Sequence, residues 1–414
     1  MYEIHAAAVY VTERAEADPQ CAARMDRMMP HVHAGHVEVV GDARLNDIVA
    51  QHGWHRPAGR RTGELRRGRS LSVIFNRFEW LDSETWWRRK ERFPALGAFL
   101  LDGSGAWGFR RADDFARTMD SVCQSAWEIH AAYGCLHSCA YCHVGDFVNI
   151  MLNLEELADR VEDLVRQTPQ QQLYKFDNQT DTICFEPEYG ASALMVERFA
   201  RLADDPTAPE AYLMLYTKSD NVGHLLDLDH RGRTVINWSL SGLTQSALIE
   251  RDVPPTGARL AAAWQCRKAG YPVRIRLSPI VPVVDWRAEA RTLIRRIYEH
   301  IEPDIITLDV VGWMSPKAMR ASMDLSLLDP RFRAEVDALI ETGQEPKGKH
   351  LFSHALRAEV LGFVIDEIRR VRPTATVAIC NETRAMWQEL GARLGQTPPV
   401  YRCCCGPNSV PYLT

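Results

Sequence analysis

The chain has 414 residues, 46% hydrophobic and 25% charged, with a formal net charge of −5. This balance excludes a disordered or collagen-like polypeptide, and no run reaches the ~20 apolar residues of a membrane span. The mildly acidic surplus argues against a dedicated nucleic-acid binder, and the opening MYEIHAAAVYVTERAEADPQ lacks a basic-then-apolar leader, so a cytoplasmic protein is expected.

In chain order, residues 1–124 form an N-terminal region of short apolar runs and turns. Within it, RPAGRRTGELRRGRS (56–70) holds six arginines and three glycines and reads as a mobile basic loop, with a phosphate-binding arm as the second reading. From residue 125 the pattern becomes regular. SAWEIH (125–130), LYKFD (173–177), YLMLY (212–216), TVINWS (234–239), VRIRLS (273–278) and IITLDVV (305–311) read as strands. The clearest helix is Leu154–Gln167, with Leu154, Leu157, Ala158, Val161, Leu164 and Val165 on one face; Asn153 can cap it, with Glu156 in the matching box position. Others are expected near 191–203, 257–269 and 287–300. Strands alternating with helices over 125–315 predict an α/β fold whose parallel sheet is curled into an open barrel or laid flat. Residues 316–414 read as a C-terminal extension with a helix (355–371), a short strand (375–380), a helix (382–394) and a tail. Pro398, Pro399, Pro407 and Pro411 forbid regular structure in that tail.

Eleven cysteines are more informative than the total charge. In a reducing compartment they point to metal ligands or reactive thiols rather than disulfides. Cys21, Cys123, Cys184, Cys266 and Cys380 stand singly and read as small buried hydrophobes. Cys135, Cys139 and Cys142 stand in YGCLHSCAYCHVG, a C-x3-C-x2-C loop directly after the first regular strand. Three thiolates on one loop can hold three irons of a [4Fe–4S] cube and leave the fourth without a protein ligand. Structural zinc, completed by His137 or His143, is the alternative.

This loop, with Tyr141 just before its last cysteine, resembles that of the radical S-adenosylmethionine superfamily. The likeness implies a partial (βα)6 barrel over 125–315, a [4Fe–4S] cluster on Cys135, Cys139 and Cys142, S-adenosylmethionine on the open iron, and an external electron donor of flavodoxin or ferredoxin type. The segments TKSDNVGHLLDLDHRGRT (217–234), INWSLS (236–241), ERDVPPTGARLAAAWQCRKAGYPVRIRLSPI (250–280) and VVDWRAEARTLIRRI (283–297), with VYVTERAEADP (9–19), are similar to spore photoproduct lyase and its relatives. By position, that resemblance puts Lys218 and Ser239 on S-adenosylmethionine, Tyr141 beside its adenine, and Gln179, Thr180 and Asp181 towards its methionine part.

Two positions depart from that family. KFDNQTDT (175–182) lacks the hydrogen-donating cysteine that the repair enzymes keep after the second strand; Cys184 comes only later, in a strand-like TICF. His143 replaces an aromatic residue. Both changes point to another substrate than a thymine dimer.

YRCCCGP (401–407) carries the second cysteine group, Cys403, Cys404 and Cys405, and is expected to fold back onto the rest of the chain. In extended backbone Cys403 and Cys405 point one way and Cys404 the other, so convergence of all three needs a bend, for which Gly406-Pro407 supplies a turn. Arg402 is expected to favour the thiolates. Soft sulfur selects a thiophilic partner: arsenite, an auxiliary iron–sulfur cluster, Cu(I) or zinc; a hydrogen-donating thiol is the remaining reading. The string also resembles the Arg-Cys-Cys-rich tail of a radical S-adenosylmethionine family of arsinothricin biosynthesis. That likeness implies transfer of a 3-amino-3-carboxypropyl group to arsenite, with the three tail cysteines catalytic. The substrate is therefore expected to be a small molecule or metalloid; DNA repair through a 5′-deoxyadenosyl radical is the alternative, with the arginine loop tracking phosphates.

Overall fold

The computed structural model describes residues 1–56, 59–68, 70–346 and 349–411. Its main sheet has eight strands: β1 (Trp107–Arg110), β2 (Ala126–Ile129), β3 (Leu173–Phe176), β4 (Tyr212–Thr217), β5 (Thr234–Ser239), β6 (Val273–Ile280), β7 (Ile306–Val310) and β8 (Val377–Ile379). They lie side by side in chain order, and all but the antiparallel edge strand β1 run parallel. The six strands read from the sequence are β2 to β7, and the short strand near the C-terminus extends the same sheet as β8. β1 and β8 are its two edges, so the sheet is open.

A second sheet orders Val32–Ala34, Ile4–Thr12, Leu71–Asn76, Phe147–Met151 and Ala132–Tyr133, with Val37–Val40 also on Ile4–Thr12. The chain thus passes from the main sheet into the second one directly after β2, and the segment 134–146 connects two neighbouring antiparallel strands of the second sheet, Ala132–Tyr133 and Phe147–Met151. One apolar core joins both, from Val9, Phe75 and Val148 to Ile129, Leu215 and Ile275.

Helix Leu154–Gln167 buries the six residues expected of it, and it packs on helix Ala191–Asp204. Each large aliphatic side chain so buried contributes about 1.5–3 kcal/mol. Asn153 does not cap this helix. Its side chain instead accepts from Phe78 N (2.8 Å) and donates to Phe78 O (3.2 Å) and Glu156 (2.8 Å). TICF is a 3-10 turn, Thr182–Phe185, rather than a strand, because all four residues are buried and no alternation distinguishes the two.

Parallel register assigns the faces of the main sheet. Tyr174, Phe176, Leu213, Leu215, Ile236, Trp238, Ile275 and Leu308 share the apolar face. The other face is polar: Arg110, Glu128, Lys175, Tyr216, Asn237, Arg274, Arg276 and Thr307. A buried polar face must be covered by something that answers its hydrogen bonds.

Candidate active site

The cysteine loop begins at the carboxyl end of β2, where parallel sheets commonly place their chemistry. Buried Asp177, at the end of β3, fixes its entry. It accepts from Ala131 N (2.7 Å), Ala132 N (3.3 Å) and Gln179 N (3.0 Å), and meets His130 Nδ1 at 2.8 Å. Gly134 follows with φ of 92°, donating to Gln179 O at 3.1 Å; a Cβ there would lie 2.1 Å from Phe147 O. Only glycine fits.

The arginine-rich segment forms one wall of the loop. Its guanidinium at Arg66, 7% exposed, donates to Cys135 O (2.6 Å), Leu136 O (3.2 Å), His137 O (3.3 Å) and Gly145 O (3.1 Å). Thr62 N donates to Cys142 O at 2.8 Å, and the Thr62 hydroxyl accepts from Gly145 N at 3.2 Å. Gly63 is packed so closely that a Cβ would sit 2.5 Å from Ala140 Cα. The mobile-loop expectation is thus corrected: residues 61–67 are docked, because the carbonyls of the turning cysteine loop need donors. Residues 57, 58 and 69 of that expectation lie outside the described residues.

The opposite wall is a two-residue antiparallel pairing of Glu250–Arg251 with Ser138–Cys139. Tyr141 Oη donates to Glu250 at 2.6 Å, Ser241 Oγ donates to it at 2.7 Å, and Arg259 pairs with it at 2.8 Å. Burial pushes the Glu250 carboxyl up, but Lys218 and Arg259 prevail and hold it below the usual carboxylate range. Lys218 Nζ lies 5.8 Å from the Tyr141 ring centre. Burial raises the Cys139 thiol to about 12, with Lys218 opposing, and burial raises Cys135 as well.

Asp181 is buried and fully engaged. It accepts from Lys218 N (2.7 Å) and the Thr217 hydroxyl (3.0 Å), and faces His137 Nε2 at 3.1 Å. His137 Nδ1 meets Asp252 O at 2.7 Å, and Cys184 Sγ lies 3.4 Å from Nε2. His137 therefore stitches the loop to its surroundings. His143 is exposed and turns to Gln179, beside a cavity of about 410 Å³ lined also by Phe99, His130 and Tyr133. With both histidines turned elsewhere, the donor set of the loop is three thiols, which fits a cluster held at three corners better than tetrahedral zinc.

Of the residues expected on the cofactor, Tyr141 and Lys218 adjoin the cysteine loop, and Asp181 lies behind them as a support. Gln179 sits at the loop's entry through its backbone carbonyl. Ser239 is half-buried at the end of β5, opposite Arg276 in register, and its carbonyl accepts from Arg259 at 3.1 Å. Sequence reasoning assigned no role to Arg66, Asp177, Glu250 or Arg259, although Glu250 and Arg259 stand in the family-like segment 250–280; their roles arise from contacts distant in sequence.

The tail is what covers the polar face of the sheet. Pro407 O accepts from Gln172 N and Leu173 N at 2.9 and 2.8 Å. Cys404 N donates to the Thr307 hydroxyl at 2.9 Å, and Arg274 donates to Cys404 O at 2.9 Å and to Ser409 O. Cys403, Cys404 and Cys405 are 7%, 0% and 6% exposed. Cys404 Sγ donates to Ile275 O at 3.4 Å, and burial raises its thiol to about 12. Interaction between the neighbouring Cys403 and Cys405 pushes the Cys403 thiol up and, with Arg110, Lys175 and Arg276, holds the Cys405 thiol well below its usual range against the effect of burial. The cations that favour the thiolate are thus strand residues rather than the expected Arg402, whose Nη2 donates to Val410 O at 3.2 Å.

The family described as spore photoproduct lyase matches residues 107–326. Spore photoproduct lyase of Bacillus subtilis (strain 168) is 22% identical over 255 residues, 58% of this chain and 72% of that protein. A solved spore photoproduct lyase variant with a dinucleoside spore photoproduct superposes with a TM-score of 0.61 at 15% identity, covering 91% of this chain and 98% of that one. Another, with bound AdoMet and the same photoproduct, gives 0.59 at 14% over the same shares.

Proposed function

Because the chain belongs to the spore photoproduct lyase family, we propose that it is a radical S-adenosylmethionine enzyme whose C-terminal thiols present a thiophilic substrate. Cys135, Cys139 and Cys142 would hold the [4Fe–4S] cluster, and Tyr141, Lys218, Ser239 and Gln179 would surround S-adenosylmethionine, with Asp181 fixing the Lys218 backbone. The cluster, when bound, supplies the electron that breaks a carbon–sulfur bond of the sulfonium. The chain contributes position and dryness: Arg66 and Glu250 lock the two walls of the loop, and the tail closes the polar face against water.

The observation that carries this reading is the tail itself, buried across the polar face with Cys405 Sγ 3.8 Å from the Arg110 guanidinium. Unpartnered buried atoms on that face, Tyr216 Oη, Asn237 Oδ1 and Arg276 Nε, are further contacts for a small substrate. Arsenite is the substrate we favour, receiving the 3-amino-3-carboxypropyl group with formation of a carbon–arsenic bond. Anaerobic protein given a reductant, S-adenosylmethionine and arsenite should release methylthioadenosine; 5′-deoxyadenosine as the sole nucleoside product rules out that transfer.

Family membership also brings a second reading, a nucleic-acid photoproduct as substrate. The arginine segment supports it weakly, since Arg66 is spent on carbonyls, Arg60 pairs with Glu64 at 3.0 Å and Arg67 donates to Ala321 O at 3.1 Å. Binding to duplex DNA that weakens steeply with salt would favour this reading over the first.

A further inference from the structure

His137 stands between the first two cysteines of the loop, yet its ring serves other segments. Nδ1 meets the Asp252 carbonyl at 2.7 Å, and a carbonyl only accepts, so Nδ1 carries a proton. Nε2 then faces two further donor atoms for a metal, Asp181 Oδ2 at 3.1 Å and Cys184 Sγ at 3.4 Å. Nε2, a carboxylate oxygen of Asp181 and Cys184 Sγ all lie within 4.8 Å of one another, and all three residues are buried. The Asp181 carboxylate already accepts from Lys218 N at 2.7 Å and from the Thr217 hydroxyl at 3.0 Å. An imidazole lone pair and a carboxylate oxygen this close, away from water, need a cation between them. With sulfur at a third corner, that cation need not be a proton.

The spacings suit a metal ion. Bonds of about 2.0–2.2 Å to nitrogen or oxygen and about 2.3 Å to sulfur set tetrahedral zinc ligands about 3.3 Å apart for nitrogen and oxygen, and about 3.5 Å apart for nitrogen and sulfur. Closing the remaining edge, carboxylate oxygen to Sγ, takes a movement of about 1 Å at most. The outer contacts are also those of a metal site: a carbonyl on the far ring nitrogen, and a backbone N–H on the ligating carboxylate.

We propose that His137, Asp181 and Cys184 bind one zinc ion, at a site separate from the cluster cysteines, which ties the cysteine loop to the turn after β3 and to the end of β4. The Thr217 hydroxyl or a solvent oxygen completes the four ligands. The site goes beyond the functional reading above and does not depend on it. Without an ion, burial raises the Cys184 thiol well above its usual range. Coordination reverses that: the sulfur–zinc bond forms as the thiol proton leaves to solvent.

The test must separate this site from both cysteine groups. The full chain is expressed in zinc-supplemented medium, since a buried site is loaded as the chain folds, then freed of loose metal and assayed for zinc. Wild type purified anaerobically with its iron, and the C135A/C139A/C142A variant, should each hold one zinc per chain. In the latter background, C184A, H137Q or D181N should lower retention at least tenfold, while C403S/C404S/C405S should leave it unchanged. Absence of zinc from either parent overturns the site and leaves His137 and Asp181 as an ion pair alone. Retention by C184A, or loss with the tail variant, overturns it too. Since a variant can fail to fold, X-ray absorption at the zinc edge of the C135A/C139A/C142A protein gives an independent check. One sulfur with nitrogen and oxygen neighbours is expected; two or more sulfurs, or oxygen alone, refute the site. Cobalt(II) supplied in place of zinc should give a sulfur-to-metal charge-transfer band, and persistence of that band in C184A is a refutation as well.

Discussion

Arg66 is the side chain on which the shape of the cysteine loop depends most directly, since one guanidinium satisfies carbonyls at Cys135, Leu136, His137 and Gly145. Hydrogen bonds from a charged donor are worth about 1.5–3 kcal/mol each. R66L is therefore expected to lower iron content after anaerobic reconstitution by at least half, while C135A, C139A or C142A abolishes visible absorbance and S-adenosylmethionine cleavage; iron per chain and nucleoside release check both. The three loop cysteines were legible because their spacing is local. Arg66 was not, because nothing local distinguishes it among six arginines; the close approach of Gly63 to Ala140 decides which one turns inward. The tail behaves likewise: alternation separates Cys404 from its neighbours, yet no local pattern announces that it docks on Thr307 and Arg274.

At the scale of elements, β2 to β7 were readable from continuous apolar or alternating runs, and the helices from their spacing. The second sheet was missed because several of its strands are short and its last members, Phe147–Met151 and Ala132–Tyr133, flank the cysteine loop. The link between tail and sheet is also an element-level fact. Arg274 on β6, 0% exposed, pairs with Asp304 at 2.9 Å and donates to two tail carbonyls. Breaking such a buried pair costs about 3–5 kcal/mol. R274A should release the tail, seen as new protease cleavage within 396–411 and a thermal midpoint lower by several degrees; an intact tail in that variant would show that Pro407 and Thr307 suffice to hold it.

For the whole molecule, acid sensitivity follows from two histidines kept neutral. Burial, first among the causes, pushes His224 down to about 4 and His350 down to about 3. The unfolded chain takes up these protons near pH 6.5, and the folded chain resists them. Stability is thus unaffected above that pH and falls below it, at no more than about 1.4 kcal/mol per pH unit for each group, and less because both are partly exposed. Melting temperature should drop from pH 6.5 towards 4, and H224Q, which removes a group lying 2.8 Å from Ser192 Oγ, should flatten that drop; an unchanged slope would refute the assignment. No helix among the described residues is long and apolar enough to cross a membrane.

The covering of β3, β6 and β7 by residues 403–409 also sets an order of assembly. In the order of synthesis, β3, β6 and β7 are all made before the segment that covers them. The polar face of a nascent chain thus stays open to solvent until residues 403–409 have emerged and folded back, so Arg274 and its neighbours on that face are among the last groups to lose their water.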